Sequence, residues 1–215
     1  MIYLISDLHG EHQFRGLEDY LRDGKEDDLL IILGDLMLGF DHSEQNRAFT
    51  EYMLSLRKPI AFLDGNHENF AYLHSFPEED WNGGRVHRLS EHMVHLMRGY
   101  VYDIQGHSFF VMGGCKSSPK WKEMGLWHEG DEPSAEELAR GYRALAAREN
   151  RVDYILTHKY EAFPPAGTVT QGLLDFTAFA DAQVSYQTWF SGHWHKNARR
   201  DRKHVYVYDA LTPIE

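Results

Sequence analysis

The side chains best suited to chemistry in this sequence fall into five short groups: Asp7-Leu8-His9, Gly34-Asp35, Gly65-Asn66-His67-Glu68, Thr157-His158 and Gly192-His193-Trp194-His195. They mix carboxylate and carboxamide oxygens with imidazole nitrogens and contain no thiolate. That donor set suits Mn, Fe, Co, Ni or Zn better than a purely oxygen-ligated Ca or Mg pair. Any one group has an ordinary explanation, because Asp-x-His and Gly-Asp make turns and caps and a single histidine is more often structural than a ligand. Their joint occurrence is more informative. Each group directly follows a short apolar run, so five strand ends would deliver seven donors to one sheet edge: Asp7, His9, Asp35, Asn66, His158, His193 and His195. That edge reads as a metal centre.

The elements that must position these donors are legible as short β-rich runs ending in polar clusters. Residues 2–5, 29–33, 60–63, 109–112, 154–156, 188–190 and 205–208 are expected to be buried strands. Residues 13–22, 43–56, 134–149 and 173–180 are expected to be helices, the third opened by Ser134 and Glu137 at capping-box spacing. Strands alternating with helices read as α/β. Between Val86 and Met112, the Gly-containing turns Arg98-Gly99-Tyr100 and Gln105-Gly106-His107 suggest antiparallel hairpins, so the sheet should be mixed. Residues 113–133 carry no clear periodicity and read as a long loop at the site.

A chain of 215 residues is ample for one domain, 1–215, and thin for two, and neither a linker nor a low-complexity tract divides it. The formal net charge of −11 argues against extended nucleic-acid binding, although carboxylates that hold cations would cancel part of it. Cys115 is the single cysteine and reads as a small buried apolar residue rather than a nucleophile. No signal peptide or long apolar run is visible, so the expectation is a cytoplasmic protein with no membrane association. A monomer and a small homo-oligomer both fit the sequence.

Taken in order, Asp-x-His, Gly-Asp, Gly-Asn-His-Glu, the pair Gly113-Gly114, the lone His158 and Gly-His-x-His resemble the calcineurin-like metallophosphoesterase superfamily, and the resemblance runs from Asp7 to His195. It implies a four-layered αββα sandwich with mixed β-sheets. It also implies two divalent transition-metal ions, Mn foremost, with Fe, Zn, Co or Ni as alternatives. Asp7, His9, Asp35 and His195 would hold one ion, and Asp35, Asn66, His158 and His193 the other, Asp35 bridging through its two oxygens. Two cations roughly 3.5–4 Å apart lower the pKa of a bridging water, whose hydroxide attacks a phosphomonoester or phosphodiester. His67, beside Asn66 but outside the ligand set, is placed to assist the leaving group. Glu68 has two readings: it orients His67 or a bound water, or it is a plain helix-opening carboxylate.

The sequence departs from the superfamily pattern in two places. Leu36 stands where phosphoprotein phosphatases carry an arginine, which favours a small phosphorylated substrate over a phosphoprotein. His158 is followed by Lys159-Tyr160 rather than by a proline-containing turn, with Pro164-Pro165 arriving later. Trp121, Trp127 and Trp194 are either an aromatic wall or simple packing, and Arg199 to Lys203 is a phosphate contact or a solvated turn. His12, His42, His74, His87, His92, His95, His107, His128 and His204 lack the strand-end spacing and read as ordinary histidines. Two rival functions stand beside the phosphoesterase: a nuclease acting on DNA or RNA by the same chemistry, and a metal-binding scaffold without turnover.

Overall fold

The structure is a computed structural model that describes residues 1–160 and 170–214. Pro164 and Pro165 lie outside the described residues. In chain order the elements are β1 (Ile2–Ile5), α1 (Arg15–Asp23), β2 (Leu29–Leu33), α2 (Glu44–Ser55), β3 (Ile60–Leu63), α3 (Phe70–Leu73), β4 (Glu78–Trp81), β5 (Gly84–Arg88), β6 (Met93–Leu96), β7 (Tyr100–Ile104) and β8 (His107–Met112). They continue as α4 (Pro119–Glu123), α5 (Ala135–Ala147), β9 (Tyr154–Thr157), α6 (Gln171–Gln183), β10 (Thr188–Ser191), β11 (Ala198–Arg199), β12 (His204–Tyr206) and β13 (Thr212–Pro213).

These strands form two mixed sheets, ordered β13-β1-β2-β3-β6-β5-β4 and β11-β12-β10-β9-β8-β7. The period-2 alternation of side chains decides the layering. In β2, Leu29, Ile31 and Leu33 face a core shared with Phe109, Val111, Tyr154, Leu156 and Phe190 of the second sheet, which puts that core between the sheets. Leu30 and Ile32 face outward against Leu17 of α1 and Phe49 and Met53 of α2. On the second sheet, Phe110, Ile155 and Trp189 face outward against Leu138 and Leu145 of α5 and Phe176 of α6. The result is helices, sheet, sheet, helices, the four-layered αββα order expected. Strands buried on both faces are continuous apolar runs, which is why the parallel strands stood out in the sequence.

The Ser134–Glu137 capping box is present at the start of α5, with both reciprocal bonds formed. Two expectations are corrected. Arg98-Gly99 is not a hairpin turn: β6 pairs in the first sheet and β7 in the second, so the chain crosses between the sheets there. The Gln105-Gly106 turn does close the β7–β8 hairpin, with both residues at positive φ. The last expected strand stops at Tyr206, which leaves Tyr208 free of the ladder and beside the site. Asn82-Gly83, both at positive φ, turns the β4–β5 hairpin, a two-residue signal of primed turns that went unread.

Candidate metal centre

Strands β1, β2 and β3 run parallel in one sheet and β9 and β10 in the other, and the close approach of Gly34 to His158 and of Gly192 to Asp7 brings the carboxyl ends of the two sets together. Asp7 and His9 follow β1, Asp35 follows β2, Asn66 follows β3, His158 follows β9, and His193 and His195 follow β10. The turns are tight: Asp7, His9, Asp35, His193 and His195 all adopt left-handed backbone, with φ between 46° and 68°. Close approach also demands glycine. A Cβ on Gly65 would lie 2.0 Å from Asp35 Oδ1, and one on Gly34 would lie 2.5 Å from His158 Nδ1.

The structure brings all seven predicted donors to this edge, in two groups. In the first, His9 Nε2 and His195 Nε2 are 3.1 Å apart, and His195 Nε2 is 3.4 Å from Asp7 Oδ1. In the second, His193 Nδ1 is 3.3 Å from His158 Nε2, which is 3.4 Å from Asp35 Oδ2. Donor atoms that each sit about 2.0–2.2 Å from a common ion are separated by about 3.0–3.5 Å from one another, the spacing seen here. Asp7 Oδ1 is buried and has no hydrogen-bond partner among the described residues, whereas Asp7 Oδ2 accepts the His193 backbone N–H at 2.8 Å. A buried carboxylate oxygen left unsatisfied is costly unless a cation faces it. The residues present therefore fit a bound metal.

Asp35 lies between the two groups. Its Oδ1 accepts the His67 backbone N–H at 2.8 Å, and its Oδ2 lies 3.6 Å from His9 Nε2 and 3.4 Å from His158 Nε2. The surroundings also fix His158: its Nδ1–H donates to the Leu33 carbonyl at 2.8 Å, which leaves Nε2 directed at Asp35. The electrostatics agree. Burial opposes charge on His158, yet Asp35 outweighs it and raises the imidazole to about 10. Burial, His158 and Lys159 together press His193 down to about 3. Burial would likewise raise Asp35, but His158, His9 and His67 hold its carboxyl well below the usual range. The Asp7 carboxylate, whose Oδ1 lies 3.4 Å from His195 Nε2, raises His195 against its partial burial.

Asn66 is buried, and its Nδ2 donates to Ser117 Oγ at 3.2 Å while Cys115 Sγ lies 3.1 Å from its Oδ1. Cys115 is buried as expected, but it is more than inert packing, since its sulfur groups with His158 and His193 at the second set of donors. Burial keeps its thiol well above the usual range, hence protonated. Cys115 was read from the sequence as packing alone and Ser117 was not singled out; the available signal was that both stand within three residues of Gly113-Gly114.

Half-buried His67 stands outside both groups, packed edge-on against Trp121 at 4.9 Å and His9 at 5.6 Å, and burial lowers its pKa. Among the described residues Glu68 makes no hydrogen bond to the His67 side chain. It is fully buried, and Asn69 rather than Glu68 caps α3. Its Oε1 accepts from Leu36 N at 2.9 Å and Gly65 N at 3.4 Å, and its Oε2 from Met37 N at 3.0 Å, so it ties the turn after Asp35 to the turn before Asn66. Burial and the neighbouring Asp35 push it up to about 8.

A cleft of about 600 Å³ opens over Asp7, His9, Asp35 and His67, walled by Phe40 and Trp121. Of the three tryptophans considered, Trp121 forms that wall, Trp127 packs under Lys122, and Trp194 is partly exposed. The 113–133 segment includes the short α4, which carries Trp121 to the cleft. Arg199 ends the short strand β11, and residues 200–203 form the exposed turn to β12, Arg199 Nη1 donating to the Arg202 carbonyl. His128 sits nearer the site than its spacing implied: its ring bonds the Phe40 carbonyl at 2.8 Å and so braces the cleft wall.

The profile of the calcineurin-like phosphoesterase family matches residues 1–197, and the chain belongs to that family. Among solved structures, a protein of unknown function from Aquifex aeolicus is similar at 17% identity, with 86% of this chain and 87% of that one covered and a TM-score of 0.41. Comparison with curated proteins returns no match. Membership suggests metal-dependent phosphoester hydrolysis, and the His and Asp clusters could bind the ions. Among the described residues no helix is long and apolar enough to cross a membrane.

Proposed function

We propose that this chain, acting as one domain, is a binuclear phosphoesterase of the cytoplasm that hydrolyses a small phosphomonoester or phosphodiester, with Mn as the first candidate metal. The observation that carries the proposal is the convergence of imidazole and carboxylate donors from both sheets, with Asp7 Oδ1 unsatisfied and Asp35 Oδ2 facing both groups. Asp7, His9 and His195 would hold one cation, Asn66, His158 and His193 the other, and Asp35 both. Such a pair supplies Lewis acidity toward phosphoryl oxygens and activation of water near neutral pH. The chain's own contributions are positioning and proton control. Leu33 and Asp35 fix the His158 ring, and the His67 backbone fixes Asp35. His67 lines the cleft beside the donors, where it is placed to assist a departing alkoxide.

The test is hydrolysis of p-nitrophenyl phosphate and its bis ester by metal-stripped protein with and without Mn, comparing wild type with His67→Ala and Asp35→Asn. Mn-dependent nitrophenolate release that both substitutions abolish is the expected result. A protein that binds two metals yet turns over neither ester would point instead to a scaffold.

A further inference from the structure

The second group of donors has a neighbour that the two-metal reading leaves out. Strand β8 pairs in parallel with β9 in a register that sets Met112 opposite Thr157, so the residues just past β8 lie beside His158. The chain there is pinned across to the other sheet. Gly114 N–H donates to the Asp64 carbonyl at 2.8 Å, two residues before Asn66, and a Cβ on Gly113 would lie 2.7 Å from the same oxygen. Gly114 then turns through left-handed backbone at φ 76°, and the next side chain is Cys115, 1% exposed.

The sulfur that this turn delivers meets other donors. Its two polar contacts among the described residues are to Asn66 Oδ1 at 3.1 Å and His193 Nδ1 at 3.8 Å, and it groups with ring nitrogens of His158 and His193 all within 4.8 Å of one another. Asn66 is oriented to match, because its Nδ2 donates to Ser117 Oγ and leaves Oδ1 on the sulfur side. A sulfur about 2.3 Å and a nitrogen about 2.0–2.1 Å from one tetrahedral ion stand about 3.6 Å apart, close to the 3.8 Å seen here. A thiol present only as packing needs one acceptor, which Asn66 Oδ1 supplies; the approach of two imidazoles to the same sulfur is what a shared ion accounts for. The two positions also differ in access and softness. Asp7, His9 and His195 offer carboxylate and imidazole at the open cleft, the two histidine side chains 28% and 47% exposed, whereas His158 and Cys115 are buried. Harder donors suit Mn, and imidazole with sulfur suits Zn or Fe.

We propose that Cys115 is a sulfur ligand of the second cation, beside Asn66, His158 and His193, and that this position takes Zn or Fe where the Asp7 position takes Mn. It rests on the phosphoesterase reading and revises one of its two ions. As the ion binds, the S–H bond breaks, its electron pair goes to the metal–sulfur bond, and the proton passes to solvent.

Cobalt titration of the metal-stripped protein tests this, because Co2+ accepts the ligands of Zn and reports thiolate sulfur through a charge-transfer band in the near ultraviolet. Cys115 is the single cysteine, so such a band has one source, and the wild-type spectrum decides even where a variant fails to fold. The band should appear in wild type and be missing from Cys115→Ser and Cys115→Ala, while the visible d–d bands show that both variants still bind cobalt. In competition, Zn affinity should fall on the order of 10–100-fold in Cys115→Ser, at least what losing a partner of a ligand costs, and Mn affinity far less. Two cobalt ions bound per chain with no near-ultraviolet band, or Zn affinity unchanged in Cys115→Ser, would overturn the sulfur ligand; turnover of p-nitrophenyl phosphate by the same protein would leave the hydrolase reading standing. A sulfur band in a protein that hydrolyses neither nitrophenyl ester would uphold the ligand and sink the hydrolase reading.

Discussion

Replacing Glu68 should loosen the metal centre without touching a predicted ligand. Its carboxylate accepts three backbone N–H groups, two within 3.0 Å, from the turns that carry Asp35 and Asn66. Glu68→Gln keeps the volume but puts an amide NH2 against at least one of those donors. One buried N–H is then left unsatisfied, at about 1–3 kcal/mol. That cost corresponds to a fall in Tm of roughly 2–12 °C for a chain this size. Because Asp35 is held from this turn, Mn affinity should also drop, by about 10–100-fold, as when outer-shell partners of metal ligands are removed. Scanning calorimetry and Mn titration would read both effects. A variant that melts within about 2 °C of wild type and binds Mn normally would refute the assignment of Glu68 as the tie between the two turns.

Three further outcomes are expected. Gly65→Ala would drive a methyl to 2.0 Å from Asp35 Oδ1, so Mn titration should show loss of the site even if the fold survives. Arg98 donates to Asp64 through both Nε and Nη2, the two residues 5% and 1% exposed; Arg98→Met strands that buried carboxylate and should cost about 3–5 kcal/mol in urea unfolding. His87 is pressed by burial, His95 and His74 to about 4 from 6.5. Since its folded pKa is depressed, the unfolded chain binds the proton first, and stability present above pH 6.5 is lost as pH falls toward 4, by about 3 kcal/mol. Urea midpoints between pH 7 and 4 should flatten by that amount in His87→Gln; an unchanged slope would discount this histidine.

Much of this architecture was legible because its informative parts are local. Buried parallel strands are continuous apolar runs, and the donors stand one or two residues past their ends, so β1, β2, β3, β9 and β10 and the seven donors can be read by eye. Long-range choices were not legible. Nothing local distinguishes Arg98-Gly99 as a crossing between sheets from a hairpin, because the same turn chemistry serves both. The three-way grip of Glu68 and the approach of Cys115 to Asn66 both depend on segments far apart in sequence.

The left-handed backbone at Asp7, His9, Asp35, His193 and His195 has a consequence for how this chain can change. Each such residue costs the fold on the order of 1 kcal/mol, less for Asp than for a bulkier side chain, so the five together forgo a few kcal/mol before any ion binds. Glycine at His9 or His195 would recover part of that and erase a donor. Stability and function are therefore opposed at the same atoms, and a lineage released from selection for activity would gain robustness by discarding its donors first.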